Sequence, residues 1–482
     1  MHERRDHQVA LGAGANAAPF RLSLFPSTTV AVLPAAVAIV VALLLSRSGV
    51  LPLTGDEPHY LVMADSLISD FTLDLRDSYA RESSTRRIYG AALNPHVVIV
   101  NHRWRPYHAP GLSILLAFPF LLGGVVGARL ALCVLAGLLA LTLFAWLRRL
   151  MPVFPAAWLT SGVTVSLPIV FGASQIYPDL PAGVVAMALT LWLLQRSRDD
   201  LASGAWAGYW LGSGLIPWLN IKFLVTTAVL TLGGLGTVWR MRRAGRRAAV
   251  RSTLATCALF AVGPAALAAY HLWAFGTPVG PRGAAELTTS LPRAMMMFLG
   301  LHLDQGQGMF FQHPLLLGGV AAFLPFARLW PRVALFWLSL YASLIVPNAF
   351  ELARFGGDGP AGRFGSSAEW LWIVPLGFVI AEYRVVLERY VKPAVIVCLA
   401  YQAALAVRWL PNPRVLFPEL DERIWARNSL FPTQMRYALP SFYFWDFSSY
   451  WTHLPNVLAY VCVGALLASG ALIGFRRTTE LP

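Results

Sequence analysis

The sequence predicts an all-α, polytopic helical membrane protein with about twelve transmembrane helices and a juxtamembrane helix in its first outer loop. Three observations predict it. The chain is 57% hydrophobic and only 13% charged, with a mean hydropathy of +0.58, whereas soluble domains carry about 25% charged residues. Apolar runs of roughly 17–22 residues recur along its length, enough to cross a hydrocarbon core. Arginines gather between those runs, as expected of cytoplasmic loops.

Residues 1–27 form a basic cytoplasmic tail with Arg4, Arg5 and Arg21. The apolar run that follows is long for a signal-peptide core and lacks a clean small-residue cleavage site, so it is a retained first span. The expected spans are 28–47, 126–147, 153–173, 181–195, 203–219, 223–239, 252–274, 309–327, 333–350, 367–381, 393–409 and 455–475, with both termini cytoplasmic. The run 111–124 is short for a span, holds Pro119 and ends in Gly123-Gly124. If it does not cross, Arg148-Arg149, the Arg240–Arg251 cluster and Arg476-Arg477 all fall on the cytoplasmic side. It is therefore read as a re-entrant or interfacial helix of the first outer loop. The outer face then owns loops 48–125, 275–308, 351–366 and 410–454, the last rich in aromatic residues. A membrane domain over 28–409 and a final helix with cytoplasmic tail over 455–482 complete the organisation.

The net charge of +14 belongs to this orientation signal rather than to nucleic-acid binding. Cys133, Cys257, Cys398 and Cys462 stand singly in apolar runs, as small core residues do. No internal repeat of the kind found in many transporters is visible.

Chemistry concentrates at the expected outer boundary. Gly55-Asp56-Glu57-Pro58-His59-Tyr60 follows the first span, and acids so placed are expensive unless they serve chemistry, an ion or a cap. Asp56 is either the N-cap of an interfacial helix or an ionised base aimed at the boundary. Asp179, in Tyr177-Pro178-Asp179-Leu180-Pro181, either starts the next helix or faces Asp56 across one cavity. Lys222 lies in a short turn between spans, and Arg363 closes the glycine-rich stretch Gly356–Arg363. Each either snorkels to the interface or binds phosphate oxygens. His59, His102 and His108 raise the question of a divalent metal, but their spacing matches no ligand motif and no metal residues are assigned. Asp304 and Gln305 suit sugar hydroxyls.

Together the acidic pair at 56–57, His108-Ala109-Pro110-Gly111 opening an interfacial helix and the Tyr177-Pro178-Asp179 turn resemble the type C glycosyltransferases. Protein O-mannosyltransferases and the transferases that put aminoarabinose on lipid A belong to this group. The resemblance covers roughly residues 28–240 well and the rest loosely. It implies a bacterial inner- or plasma-membrane enzyme that takes a sugar from a polyprenyl-phosphate carrier. The sugar passes, with inversion, to a glycan, lipid or protein acceptor on the outer face. It further implies Asp56 as general base, Glu57 and Asp179 orienting acceptor or sugar, and Arg363 and Lys222 stabilising the departing phosphate. His59, Tyr60, His108, Asp304 and Gln305 would line the substrate site. The competing readings are a secondary transporter or flippase, and a non-catalytic protein that binds lipid-linked glycans.

Overall fold

A computed structural model describes residues 24–479, apart from 48–52, 196–202, 246, 282–286, 353–354, 356–358, 360, 418–429, 436 and 443–451. Residues 1–23 of the expected N-terminal tail, about half of loop 410–454, and Gly356–Asp358 with Pro360 of the glycine-rich stretch thus lie outside the described residues, and α1 begins at Leu24, inside the expected tail.

The helices are α1 (Leu24–Arg47), α2 (Glu57–Ser69), α3 (Arg76–Thr85), α4 (Gly111–Leu147), α5 (Val153–Thr164), α6 (Leu167–Ser174), α7 (Asp179–Gln195) and α8 (Ser203–Leu215). They continue with α9 (Leu224–Arg243), α10 (Arg247–Cys257), α11 (Leu259–Phe275), α12 (Leu291–Leu303), α13 (Met309–Gln312), α14 (Leu316–Leu329), α15 (Pro331–Ala349), α16 (Ile373–Glu382), α17 (Arg384–Trp409) and α18 (Leu454–Thr479). Among the described residues, seven helices are long and apolar enough to cross a membrane, and the α5–α6 pair, bent by 58°, would make eight. Several of the twelve expected spans fall on shorter helices, among them Asp179–Leu194 and Leu316–Leu329. Prolines and 3-10 turns at 216–218, 221–223 and 365–372 interrupt the apolar runs there. Exposed Leu232, Val397 and Leu472 stud the long helices, as a lipid-facing surface requires.

With no hydrophobic drive between helices in lipid, close approach and shape must hold the bundle. A side chain at Gly263 would collide with the Gly214 carbonyl, joining α11 to α8, and one at Gly470 would collide with the Ala321 carbonyl, joining α18 to α14. The largest buried cluster runs through α2, α4, α7 and α14–α16.

The segment 111–124 is the first arm of α4. Gly124 breaks the helix at φ 57°, ψ −143°, and a Cβ on Gly127 would collide with the Pro119 carbonyl oxygen. Residues eight apart in a straight helix lie about 12 Å away from each other, so the arm folds back sharply. Its 13 residues reach about 20 Å, short of a hydrocarbon core of about 30 Å.

The loop between α1 and α4 carries its own small structure. Arg81 of α3 forks onto Asp65 and Asp70 of α2 at 3.0 and 2.6 Å. The strands β1 (Val97–Val100) and β2 (Arg103–Pro106) form an antiparallel hairpin, which with an isolated bridge between Leu287 and Glu351 departs from all-α. Its turn residues Asn101 and His102 both hold positive φ, 49° and 62°, as a two-residue type I′ turn demands. Leu75 donates to the Trp104 carbonyl and Trp104 to Asp74, at 2.8 and 2.9 Å, tying the hairpin to the start of α3.

Candidate active site

Glu57, not Asp56, does the capping work at the start of α2. Its carboxylate accepts from the Thr54 backbone at 2.8 Å and the Thr54 hydroxyl at 3.1 Å, half of a capping box. It also accepts from Ile176 N–H at 2.9 Å and, in the orientation that satisfies both groups, from the Gln175 amide at 2.7 Å. Arg129, buried inside α4, approaches it at 3.8 Å while donating to Ser46. Glu57 is wholly buried, and that burial pushes its pKa up, against the lowering by Arg129 and the backbone donors. It ties three elements together and lies behind the site surface.

Asp56 is thereby released. It sits at the N-cap with no side-chain capping bond, after a turn that Gly55 makes at φ 51°. Its side chain is 24% exposed and lies between two sets of partners. Oδ1 faces His108 Nε2 at 3.5 Å and His96 Nδ1 at 3.9 Å. Oδ2 faces Arg363 Nη2 at 3.7 Å. These separations exceed ordinary hydrogen bonds.

Behind Arg363 stands a buried ion network. Its Nε reaches Asp179 Oδ2 at 3.2 Å, and Lys222 Nζ reaches Asp179 Oδ1 at 2.9 Å. One guanidinium therefore touches both acids that the sequence placed at one boundary. Lys222 also donates to Asn348 at 2.7 Å and lies 3.9 Å from Glu351. Arg363 lies over the Tyr177 ring at 3.8 Å, whose hydroxyl donates to the Thr54 carbonyl. Burial opposes the charge on Arg363, but Asp179, Tyr177 and Asp56 outweigh it and raise its pKa. Two cations here face three carboxylates, Asp179 in direct contact and Asp56 and Glu351 at 3.7 and 3.9 Å.

The hairpin supplies the other wall. Pairing of Val97 with Pro106 sets His96 beside Tyr107, and their rings stack at 4.4 Å. His108 packs on Tyr60 at 4.8 Å and edge-on against His96. His59 shares a 2.7 Å hydrogen bond with the Tyr79 hydroxyl. Burial lowers its pKa to about 4, helped by His96 and His108 and opposed by Asp56, so it stays neutral at pH 7.

The structure thus gathers Asp56, His108, Asp179, Lys222 and Arg363 at one place, with His59 and Tyr60 in its wall. It places Asp304 and Gln305 elsewhere. Asp304 accepts from Gly306, Gln307 and Phe442 at 2.8–2.9 Å, and burial raises its pKa against those bonds. Gln305 donates its backbone N–H to Pro440. Both fasten the 439–442 segment. His102 stands exposed at the hairpin tip, away from the other histidines. His96, which sequence reasoning passed over, takes its place. The signal was Val97–Val100 followed by Asn101, a β-prone run ending in a residue that tolerates a left-handed turn.

Comparisons with known proteins add fold-level likeness only. No family model matches the chain, and no curated protein matches it. Among solved structures, ArnT from Cupriavidus metallidurans in the apo state aligns at 17% identity and a TM-score of 0.49. The same protein bound to undecaprenyl phosphate aligns at 16% and 0.45. Each alignment covers 93% of this chain and 74% of the other.

Proposed function

We propose that this chain is a type C membrane glycosyltransferase, moving a sugar from a polyprenyl-phosphate donor to an acceptor hydroxyl on the outer face of the membrane. The observation that carries the reading is Arg363 joined to both Asp56 and Asp179, with Asp56 partly exposed and free of capping duty.

On this reading the acceptor hydroxyl gives its proton to the Asp56 carboxylate as its oxygen attacks the anomeric carbon. The bond from that carbon to the donor phosphate oxygen breaks, and the electron pair leaves with polyprenyl phosphate. Negative charge grows on the phosphate, where Arg363 and Lys222 supply preorganised cations. Asp179 holds both cations in place, and Glu57 positions the backbone that presents Asp56. General-base assistance of this kind contributes about 100- to 10,000-fold in rate.

The test is release of polyprenyl phosphate from a panel of polyprenyl-phosphate sugars by full-length protein in proteoliposomes. Sugar transfer that collapses in Asp56→Asn supports the assignment. Sugar carried across the bilayer with the donor bond intact would establish a transporter instead, and full transfer by Asp56→Asn would remove Asp56 as base.

A further inference from the structure

We propose that Asp56 Oδ1, His96 Nδ1 and His108 Nε2 form a three-ligand site for a zinc-class divalent cation. The three atoms lie at 3.2 Å (His96 to His108), 3.5 Å (His108 to Asp56) and 3.9 Å (His96 to Asp56). Each residue offers one ligand atom, and together they form a metal-sized group. A tetrahedral ion with bonds of about 2.0–2.1 Å sets its ligands about 3.3–3.4 Å apart. Two of the observed edges, 3.2 and 3.5 Å, are of that size, and the third, from His96 to Asp56, is wider at 3.9 Å. The two edges to Asp56 are too wide for ordinary hydrogen bonds, so the carboxylate is spaced as a co-ligand, while the two imidazoles share a hydrogen bond across the third edge.

The surroundings agree with the spacing. His108 has its side chain 1% exposed, and its Nδ1 has no hydrogen-bond partner. His108 Nε2 and His96 Nδ1 share a 3.2 Å hydrogen bond, so one of the two nitrogens carries a proton that a bound cation would displace to solvent. The rings are held by Tyr60, Tyr107 and the edge of His59, which limits their rotation. Asp56 divides its two oxygens, Oδ1 towards the imidazoles and Oδ2 towards Arg363. Two imidazoles and one carboxylate select zinc, cobalt or nickel over magnesium or calcium, which prefer all-oxygen shells. Three protein ligands leave a fourth position open, the arrangement of catalytic rather than structural zinc. On the transferase reading, and only there, that position would receive the acceptor hydroxyl.

The hairpin explains why spacing along the chain hides the site. His96 and His108 are the residues flanking the two strands, and the register Val97↔Pro106 turns a separation of twelve residues into a 3.2 Å contact.

The test is titration of full-length, tag-free protein in detergent with Zn2+ after chelator treatment, with Co2+ absorbance reporting tetrahedral geometry. The expected result is one saturable ion per chain. His96→Ala and His108→Gln should weaken it beyond the roughly 10- to 100-fold that outer-shell changes cost, while His102→Asn at the hairpin tip keeps it. Size exclusion and thermal melts confirm that each variant is folded, and His96, 38% exposed, tolerates truncation better than His108. No saturable binding, or binding unchanged in both ligand variants, overturns the site. A bound ion with no sugar transfer leaves the site standing and removes the transferase reading. Transfer by a protein that binds no ion does the reverse.

Discussion

Two clusters of titratable side chains, at His313–Glu369 and at Asp56, are built in opposite ways. At His313 and Glu369 both side chains are wholly buried and meet at 2.9 Å. Ser166 donates to the second Glu369 oxygen at 3.2 Å, and nearby Gln402 joins Leu167 to Gln312. That cluster clasps α6, α13, α17 and the turn before α16. At Asp56 the side-chain nitrogens of His108, His96 and Arg363 stand 3.5–3.9 Å away and the carboxylate keeps contact with solvent. Tight, sealed hydrogen-bonded pairs hold elements together, and removing one partner leaves a buried polar group unsatisfied. Loose, half-open ones leave room for a ligand.

The sharpest test of that contrast is Asp56→Asn. Transfer should fall by about 100- to 10,000-fold, with the thermal melt almost unmoved because no capping bond is lost. Glu369→Ala should do the opposite. Folded yield and melting temperature should drop as expected for a loss of about 1–3 kcal/mol from the unsatisfied His313 and Ser166, with turnover per folded molecule retained. Arg363→Lys keeps the charge but cannot reach both acids, so turnover should fall by up to about 100-fold in a steady-state assay. Glu57→Gln tests whether neighbouring acids divide the labour. It should cost about 1–3 kcal/mol of stability in a denaturation series and reduce turnover less than Asp56→Asn does.

The smallest effect is expected at Asp70. Its hydrogen bond from Arg81 lowers its pKa, against burial. Folding then gains from the ionised form above the ordinary carboxylate pKa and loses that gain as pH falls through the lower folded value. Side-chain exposures of 24% and 40% hold the contribution to about 0.2–1 kcal/mol. Asp70→Asn should flatten the acid limb of the melting curve by that amount.

Much of the bundle and of the ion network could be read from the sequence because charge in an apolar chain is conspicuous. Asp56, Asp179, Lys222 and Arg363 each interrupt apolar runs, and such interruptions are rarely idle in a membrane. The division between Asp56 and Glu57 could not be read. Adjacent acids are equivalent in a string of letters, and only the backbone turn at Gly55 decides which points back to Thr54. Asp304 and Gln305 looked like sugar ligands for a related reason. In a glycine-rich stretch an acid is as easily consumed by backbone N–H groups as by a substrate, and Gly306, Gln307 and Phe442 supply them. The fold-back at Gly124 was half visible, as a run too short to span. The hairpin was not, because Arg103-Trp104-Arg105 reads equally well as an interfacial anchor.

That hairpin also sets an order of assembly. A two-residue turn closes within about 1–10 μs, so His96 and His108 can meet as soon as the two strands pair. Two strands alone are only marginally stable in water, and the pairing persists once Leu75 and Asp74 dock on Trp104. Asp179, Lys222 and Arg363 come from segments far apart in the chain and must wait until the helices around them have packed. The imidazole wall is therefore a local, early structure, and the charged wall a late one. Asp56 is where the two maturation times meet.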